Sequence, residues 1–208
     1  MNSQLLNYEN LLKVTNAVSS TKNPEKAIQS GVLAVTDALG VKGAVLFLFN
    51  KSNNELEIAG SCGLSEEYLN KGPISALQSI ASSLKDGPVA IFDVLDDPRI
   101  QYPEEAKKEG IASILSVPIM VMNNIVGALR VYTSVPWEFT LEDVNFVQAV
   151  AQILGMNLEM IRMKKGLKNS IEILKTLRDP NSITSVKRTP FEGVPLSINK
   201  EKRIRLGV

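Results

Sequence analysis

The chain has 208 residues, of which 44% are hydrophobic and 22% charged, and its formal net charge is +1. This length and composition are typical of one globular domain with an additional helix or tail. There is no histidine and one cysteine, Cys62, which excludes Ser-His-Asp catalysis, His-ligated haem or zinc, and an intrachain disulfide. No apolar run approaches the roughly 18 residues of a membrane span, and no secretory signal is visible. We therefore expect a cytoplasmic protein without a membrane or metal site.

Two helices are predicted first. Leu5, Tyr8 and Leu12 follow helical spacing within the first twenty residues. Asn23 and Pro24 are a helix-start signal, and Gly40 suits the end of that second helix.

Apolar runs separated by turn residues then predict an alternation of strands and short helices. Strands are expected at 43–49, 55–61, 89–94, 112–121 and 125–133, and short helices at 66–69 and 74–84. A polar loop is expected between the third of these strands and Gly110.

A long C-terminal helix is the clearest pattern in the sequence. Thr140 and Asp143 have the spacing of a capping box, and apolar residues after them alternate in steps of three and four, as far as Leu174. From residue 164 onward there are eleven Lys/Arg and four Asp/Glu, a net charge of +7, which leaves −6 for residues 1–163. The basic tail could meet a protein partner or remain solvated.

This order of elements predicts an α+β fold. We expect an antiparallel β-sheet with the long N- and C-terminal helices on one face and short helices and loops, which would form a pocket, on the other. The expected organisation is an N-terminal helix (1–22), a central domain (23–163), a helix extension (164–180) and a basic tail (181–208).

The segment from residue 110 to 159 resembles the C-terminal half of a GAF domain. The residues that carry the resemblance are Gly110, Ser113, Val117-Pro118-Ile119, the Asn123-Asn124 turn, Ile125–Leu129, Phe139 and Glu142-Asp143, together with the upstream Phe92–Ile100. The resemblance covers roughly residues 9–163. It implies a GAF-like sensory or regulatory domain with a small-molecule pocket, whose terminal helices commonly form dimers.

Three known GAF chemistries do not fit these residues. Bilin-binding relatives need a chromophore-linking Cys, often beside a His, and Cys62 lies elsewhere, in or just after the second strand. Cyclic-nucleotide-binding relatives have Asn-Lys where this chain has Thr133-Ser134. The free methionine sulfoxide reductases resolve a sulfenate with a second cysteine. We therefore expect no cofactor, no catalytic residues and no enzymatic activity; without a helix-turn-helix pattern we expect no nucleic-acid partner.

The resemblance suggests a ligand site on the face that carries Arg130. That residue could clamp an anionic small molecule, or could reach water at a strand end. The remaining candidate ligand-binding residues are Ser113, Ser116, Tyr102, Arg99, Asp93 and Cys62. For Arg99 a loop-stabilising ion pair is the alternative, and for Cys62 a small buried side chain instead of a redox-sensitive thiol.

We predict a homodimer, because the apolar stripe of the last helix extends beyond what one sheet can cover. The predicted interface comprises Leu5, Leu12, Val147, Leu154, Leu158 and Ile161. Met156, Met160 and Met163 form a further stripe, either a partner surface or part of the buried one. The sequence thus predicts a bacterial GAF-domain regulatory protein that binds a small molecule; the alternative is a GAF scaffold for dimerisation and protein interaction.

Overall fold

The computed structural model describes residues 3–50, 52–75 and 87–178. The chain divides into two units, one up to Leu158 and one from Glu159 onward. The helices are α1 (Ser3–Ser19), α2 (Pro24–Leu39), α3 (Glu66–Leu69), α4 (Pro103–Glu109) and α5 (Leu141–Arg178). The strands are β1 (Gly43–Asn50), β2 (Glu55–Cys62), β3 (Ile74–Ser75), β4 (Val89–Ile91), β5 (Ser113–Val121) and β6 (Asn124–Thr133).

The six strands form one sheet in the order β3-β2-β1-β6-β5-β4, and every neighbouring pair is antiparallel. The predicted α+β fold with an antiparallel sheet is therefore confirmed. Strand β6 lies between β1 and β5, so Arg130 is paired with Val45 on one side and with Ser116 on the other. Residues directly opposite each other on neighbouring strands lie on the same face of the sheet, so the side chains of these three residues share one face.

Helices cover the opposite face of the sheet, here called the helix face. A Cβ atom added to Gly60 of β2 would lie 2.6 Å from Ile28 of α2, and one added to Gly155 of α5 would lie 2.8 Å from Ile119 of β5. Both glycines thus allow a helix to pack tightly on the sheet. Helix α1 joins this layer, where Asn157 Nδ2 donates to the carbonyl oxygen of Val18 at 3.3 Å.

Local signals explain where the helices begin. Asn23 Oδ1 accepts from the backbone N–H groups of Glu25 and Lys26 at the start of α2, as expected for a helix cap. At the start of α5 the predicted capping box is confirmed: the Thr140 N–H donates to Asp143 Oδ2 at 2.9 Å, and the Asp143 N–H donates to Thr140 Oγ1 at 3.2 Å. None of the described helices is long and apolar enough to cross a membrane.

Two parts of the predicted secondary structure were wrong. Ile74 and Ser75 do not begin a helix but pair with β2 as strand β3. Helix α4 occupies part of the predicted polar loop, with Pro103 in its first turn and Gly110 at its C-terminal cap with φ of 72°. The tail at 181–208 and the side chain of Leu5 lie outside the described residues, and the predicted domain boundaries remain predictions.

The structure corrects the predicted dimer interface on α5. Val147 and Leu154 are fully buried, and Leu158 is 3% exposed, because this stripe packs against the protein's own helix face. These three side chains are therefore unavailable to a second chain. Of the other predicted interface residues, Ile161 is partly buried and Leu12 is 62% exposed.

Candidate anion-binding site

The face of the sheet opposite the helix face, here called the cover face, carries a small cavity of about 20 Å³. Its walls come from the strands, from the segment around α3 and β3, and from the loop before α4. The lining residues are Tyr68, Lys71, Ile74, Arg99, Ile100, Gln101, Tyr102, Ile114 and Arg130. None of these lining residues is acidic, while three carry a positive charge.

Arg130 is the charged group of this cavity that is held deepest in the fold. It lies in β6 in the middle of the sheet and is 6% exposed. Its Nε donates to Ser116 Oγ at 3.3 Å, and its guanidinium carbon lies 5.1 Å from the centre of the Phe47 ring. Its Nη2 is buried without a hydrogen-bond partner. A buried charged donor left unpaired costs more than about 1–3 kcal/mol. A hydrogen-bond acceptor placed at this atom would therefore stabilise the protein.

Lys71, which follows α3, brings a second cation to the cavity. Its Nζ donates to the carbonyl oxygen of Tyr68 at 2.9 Å and lies 3.6 Å from the centre of the Tyr68 ring. Burial and the nearby Arg130 lower the pKa of Lys71 to about 8, although Glu105 and Glu109 act in the opposite direction. An anion between the two cations would relieve their repulsion.

Two buried tyrosines near Arg130 are neutral groups: Tyr68, which lines the cavity, and Tyr132, against which Tyr68 packs. The rings of Tyr68 and Tyr132 meet edge to face, with centroids 6.0 Å apart. Burial raises the pKa of Tyr68 and that of Tyr132 above their usual value, even though Arg130 partly opposes the shift in both cases. Neither phenol therefore becomes a negative partner for Arg130 at neutral pH.

The outer wall is closed by two hydrogen bonds between separate loops. Tyr102 donates its hydroxyl to the carbonyl oxygen of Pro73 at 2.8 Å, and Gln101 Oε1 accepts from the Ser75 N–H at 3.2 Å. Gly72 has a φ of 142°, and a Cβ there would lie 2.5 Å from the Tyr102 hydroxyl oxygen. Only glycine fits beneath this tyrosine.

The cavity unites four of the seven predicted ligand-binding residues. Arg130, Tyr102 and Arg99 line it, and Ser116 holds Arg130. Arg99 is exposed and bound to Asp97, with Nη2 to Oδ2 at 2.6 Å, which lowers the pKa of that carboxyl. The loop-stabilising ion pair, which was the alternative prediction for Arg99, is therefore present in the structure.

The other three predicted residues lie elsewhere. Ser113 is on the helix face, where its Oγ donates to the Phe92 carbonyl oxygen at 2.5 Å and accepts from the Trp137 N–H at 2.9 Å. Asp93 is exposed and accepts from the Leu95 N–H at 2.9 Å, closing a turn. Cys62 pairs with Ala44 at the end of β2, also on the helix face, and is partly buried.

Sequence reasoning missed Lys71, Tyr68 and Gln101. Lys71 lies between an exposed helix and a short strand, and no periodic pattern marks a lysine there as pointing inward. Tyr68 and Lys71 are three residues apart across the end of α3, and this spacing was the one available signal.

A larger concavity of about 400 Å³ lies between α1 and α2. Its lining combines small residues such as Ala17, Ala34 and Ala38 with charges of both signs, Lys13 and Asp37. No lining residue has a buried polar atom without a partner. The smaller cavity is therefore the better candidate, because it has the unsatisfied charge. Among the described residues no group of acidic, His or Cys side chains could hold a metal ion.

Comparison with known proteins agrees with this architecture. No curated protein matches the chain. The GAF domain of a phosphoenolpyruvate-protein phosphotransferase from Coxiella burnetii is 20% identical, with a TM-score of 0.71 over 79% of this chain and 99% of that one. The free methionine-R-sulfoxide reductase of Neisseria meningitidis, solved with its substrate, is 18% identical, with a TM-score of 0.67 over 79% and 95% of the two chains.

A bacteriophytochrome also shares the fold. The bacteriophytochrome RpBphP3 from R. palustris is 11% identical, with a TM-score of 0.65 over 82% of this chain and 40% of that one. At these identities the structures establish the fold alone. The GAF domain family itself matches residues 23–158, which is more than half of the chain. The protein therefore belongs to the GAF domain family, a family of sensory and regulatory domains.

Proposed function

We propose that this GAF domain is a cytoplasmic regulatory module that binds a small anionic molecule in the cavity of the cover face. The observation that carries the proposal is the buried Nη2 of Arg130, which lacks a hydrogen-bond partner in a cavity shared with Lys71. Both features cost stability in the absence of a ligand. An anion that accepts from Nη2 and lies near Lys71 would offset both costs.

The ligand class that fits best is a carboxylate. A guanidinium presents parallel N–H donors that match the two oxygens of a carboxylate, whereas an ammonium acts as a point charge. Arg130 Nε already donates to Ser116, whereas Nη2 has no partner and can donate to an oxygen of the ligand. Tyr102, whose hydroxyl is on the outer wall, can add a neutral hydrogen bond.

The size of the cavity limits how such a ligand enters. A volume of about 20 Å³ holds about one water molecule, so an organic acid requires the outer wall to separate. The two hydrogen bonds of that wall, Tyr102 to Pro73 and Ser75 to Gln101, are both exposed. Exposed hydrogen bonds contribute only about 0.5–1.5 kcal/mol each, so the free energy gained by pairing the buried Arg130 donor can offset the cost of opening the wall.

We infer that the protein is not an enzyme. Cys62 lies on the helix face, whereas Arg130 lies on the cover face, so the one thiol of the chain is separated from the cavity by the sheet. The chain therefore shares the fold of the reductase, but its cysteine does not lie at the proposed ligand site. A bilin or a cyclic nucleotide is not part of the proposal, for the sequence reasons given above.

A scaffold without a ligand is the second candidate function. The small cavity favours it, because Tyr68, Ile74, Ile114 and Tyr132 already fill most of the cover face. In that case the protein would act through dimerisation and protein contacts alone.

The deciding experiment combines native mass spectrometry of the purified full chain with a thermal-shift screen of mono- and dicarboxylates. We expect a carboxylate to raise the melting temperature of the wild type and to have no effect on Arg130→Met. Arg162→Met, which removes an exposed arginine of α5, is the matched control and should respond like the wild type. A ligand that stabilises Arg130→Met equally would overturn the proposed anchor, and a screen without hits would favour the scaffold.

A further inference from the structure

The side chain of Lys71 brings an amine nucleophile into the cavity of the cover face. Lys71 is half-buried, and its Nζ lies 2.9 Å from the carbonyl oxygen of Tyr68 and 3.6 Å from the centre of the Tyr68 ring. Among the described residues, no ion pair includes Lys71 and no acidic side chain lines the cavity. The amine is therefore held in place by a neutral residue, without a carboxylate at ion-pair distance.

The surroundings of this amine favour its uncharged form. Burial and the charge of Arg130 lower the pKa of Lys71 to about 8, while two carboxylates act in the opposite direction. The unprotonated amine is the nucleophile, and desolvation beside another cation is one way in which proteins activate a lysine. The titratable and charged groups around Lys71 are Tyr68, Tyr102, Arg99 and Arg130 in the cavity and Glu105 and Glu109 on α4.

The reaction product that this cavity would stabilise is an anion. Arg130 is 6% exposed, and its Nη2 has no hydrogen-bond partner. Hydrogen bonds from a guanidinium to an anionic oxygen are charge-assisted and strong. A reaction that gives Lys71 a negatively charged oxygen would supply the missing acceptor. It would also replace the repulsion between two cations with an attraction.

Carbon dioxide is the electrophile that meets these requirements. Its addition to an amine gives a carbamate with two carboxylate oxygens, whereas acylation gives a neutral amide and a carbonyl compound gives an imine without an anionic oxygen. The volume of about 20 Å³ favours the same choice. An organic acid requires the outer wall to open, whereas carbon dioxide adds only one carbon and two oxygens to a side chain that already lines the cavity.

We propose that Lys71 is a carbamylation site, where carbon dioxide adds reversibly to Nζ and the carbamate accepts a hydrogen bond from Arg130 Nη2. This inference deepens the proposed function and rests on it, because both place a carboxylate oxygen at the unpaired donor of Arg130. A carbamate at Lys71 would occupy that donor and would repel a free carboxylate. Carbon dioxide would therefore regulate carboxylate binding in this cavity.

The addition balances without a further reactant. The lone pair of the uncharged Nζ attacks the carbon of carbon dioxide and forms an N–C bond, while the electron pair of one C=O π bond moves onto its oxygen. Nζ then releases one proton to solvent, which leaves a carbamate anion. Lowering the pH or removing carbon dioxide reverses the step and restores the lysine.

The first test is carbon NMR of the full chain equilibrated with 13C-labelled bicarbonate and carbon dioxide near pH 8. We expect the wild type to show a carbamate resonance that is lost in Lys71→Arg, which keeps the positive charge but lacks a nucleophilic amine. Lys107→Met, which removes an exposed lysine, is the control and should retain the resonance. Circular dichroism checks that Lys71→Arg is folded. A wild type with no resonance beyond those of Lys71→Arg would overturn the proposal.

The second test measures the contribution of Arg130. Alkylation of the carbamate with a trialkyloxonium salt, followed by peptide mass spectrometry, gives the modified fraction of Lys71. We expect this fraction to fall several-fold in Arg130→Met and to be unchanged in Arg162→Met. Its pH profile separates the pKa of the amine from the stability of the carbamate. An equal carbamate stability in Arg130→Met would show that Arg130 does not hold the adduct.

A third measurement distinguishes this inference from the proposed ligand. Thermal shifts with a carboxylate are recorded in buffer free of carbon dioxide and then with carbon dioxide at the same pH. We expect carbon dioxide to reduce the shift of the wild type but not that of Lys71→Arg; an equal reduction in both would identify bicarbonate as a simple competitor and contradict the carbamate. Carboxylate binding without a carbamate resonance would overturn this inference alone, and a carbamate without carboxylate binding would overturn the proposed ligand alone.

Discussion

Arg130 and Ser116 are directly paired across β6 and β5, and the arginine Nε donates to the serine Oγ at 3.3 Å. The guanidinium is therefore anchored at one nitrogen by the sheet itself, while Nη2 has no partner. Fixing one end of the group and leaving the other unpaired orients the free donor before any ligand arrives. Such preorganisation lowers the entropic cost of binding.

Replacing Arg130 should stabilise the protein in the absence of ligand. Arg130→Met removes a buried charge with an unsatisfied donor, whose burial costs free energy, and keeps most of the apolar volume. We expect the free energy of unfolding in urea to rise by about 1 kcal/mol. Arg162→Met is the control and should change it little. A clear loss of stability in Arg130→Met would mean that the guanidinium is fully satisfied in solution.

Lys71 should make the stability of the protein depend on pH above neutrality. Its pKa is lowered from 10.5 to about 8, so between these values the unfolded chain binds more protons than the folded one. The free energy of unfolding of the wild type relative to Lys71→Met should therefore rise from pH 8 to pH 10.5, and be constant below pH 8. Urea unfolding at several pH values measures this difference, with the exposed Lys107→Met as control. A flat difference across the window would place Lys71 in solvent.

Anion affinity should change in the opposite direction over the same range. As the pH rises through about 8, Lys71 loses its charge and the ligand loses one of its two cations, while Arg130 remains charged. We expect calorimetry with the best carboxylate from the screen to show weaker binding at high pH. In Lys71→Met the affinity should be lower and independent of pH; a pH dependence that survives this substitution would point to a different titrating group.

Glu109 joins three elements, and its removal should weaken the cover face. The Ser65 N–H donates to its Oε1 at 3.1 Å, the Ser65 hydroxyl donates to Oε2, and Lys42 Nζ lies 3.6 Å away. Burial raises the pKa of Glu109, but these donors together lower it by more, so the pKa lies below the ordinary value of 4.5. Its contribution is therefore present above pH 4.5 and is lost as the pH falls through the lowered pKa.

For Glu109→Gln we expect a loss of about 1 kcal/mol at neutral pH. The difference from the wild type should shrink in acid, as followed by urea unfolding. Glu104→Gln, on the same helix and exposed, is the matched control. An equal loss at neutral and acidic pH would show that the charge of Glu109 contributes nothing.

Gly155 should tolerate no side chain. Its Cβ would lie 2.8 Å from Ile119 and 3.4 Å from the Met120 carbonyl oxygen, so Gly155→Ala must push α5 away from β5. Overpacking of this kind typically costs about 1–3 kcal/mol. The same substitution at Gly166 should raise helicity instead, because alanine is favoured by about 1 kcal/mol within a helix. Thermal melting and circular dichroism distinguish the two outcomes; stabilisation by Gly155→Ala would refute the close approach.

The sequence predicted the fold better than the site. Strands β1, β5 and β6 are long apolar runs, and the start of α5 has a capping box, so local patterns determine these elements. Helix α4 was missed because only its ends carry a signal, Pro103 and Gly110, and its residues between them are mostly charged. Strand β3 was misread because two residues are too few to show an alternation.

The site depends on contacts between distant parts of the chain. Arg130 and Ser116 could be placed together because they belong to one predicted hairpin. Ser113 was assigned to the cavity although a step of three residues along β5 puts it on the opposite face from Ser116. Lys71 could not be found, because its pocket is formed by Tyr68 locally and by Arg130, which is distant from it in the sequence.

The outermost described strands are very short, with two residues in β3 and three in β4. An outer strand presents unpaired N–H and C=O groups that can recruit the strands of other molecules, and short strands limit this hazard. Each of these two outer strands therefore offers few backbone groups of its own to a strand of another molecule.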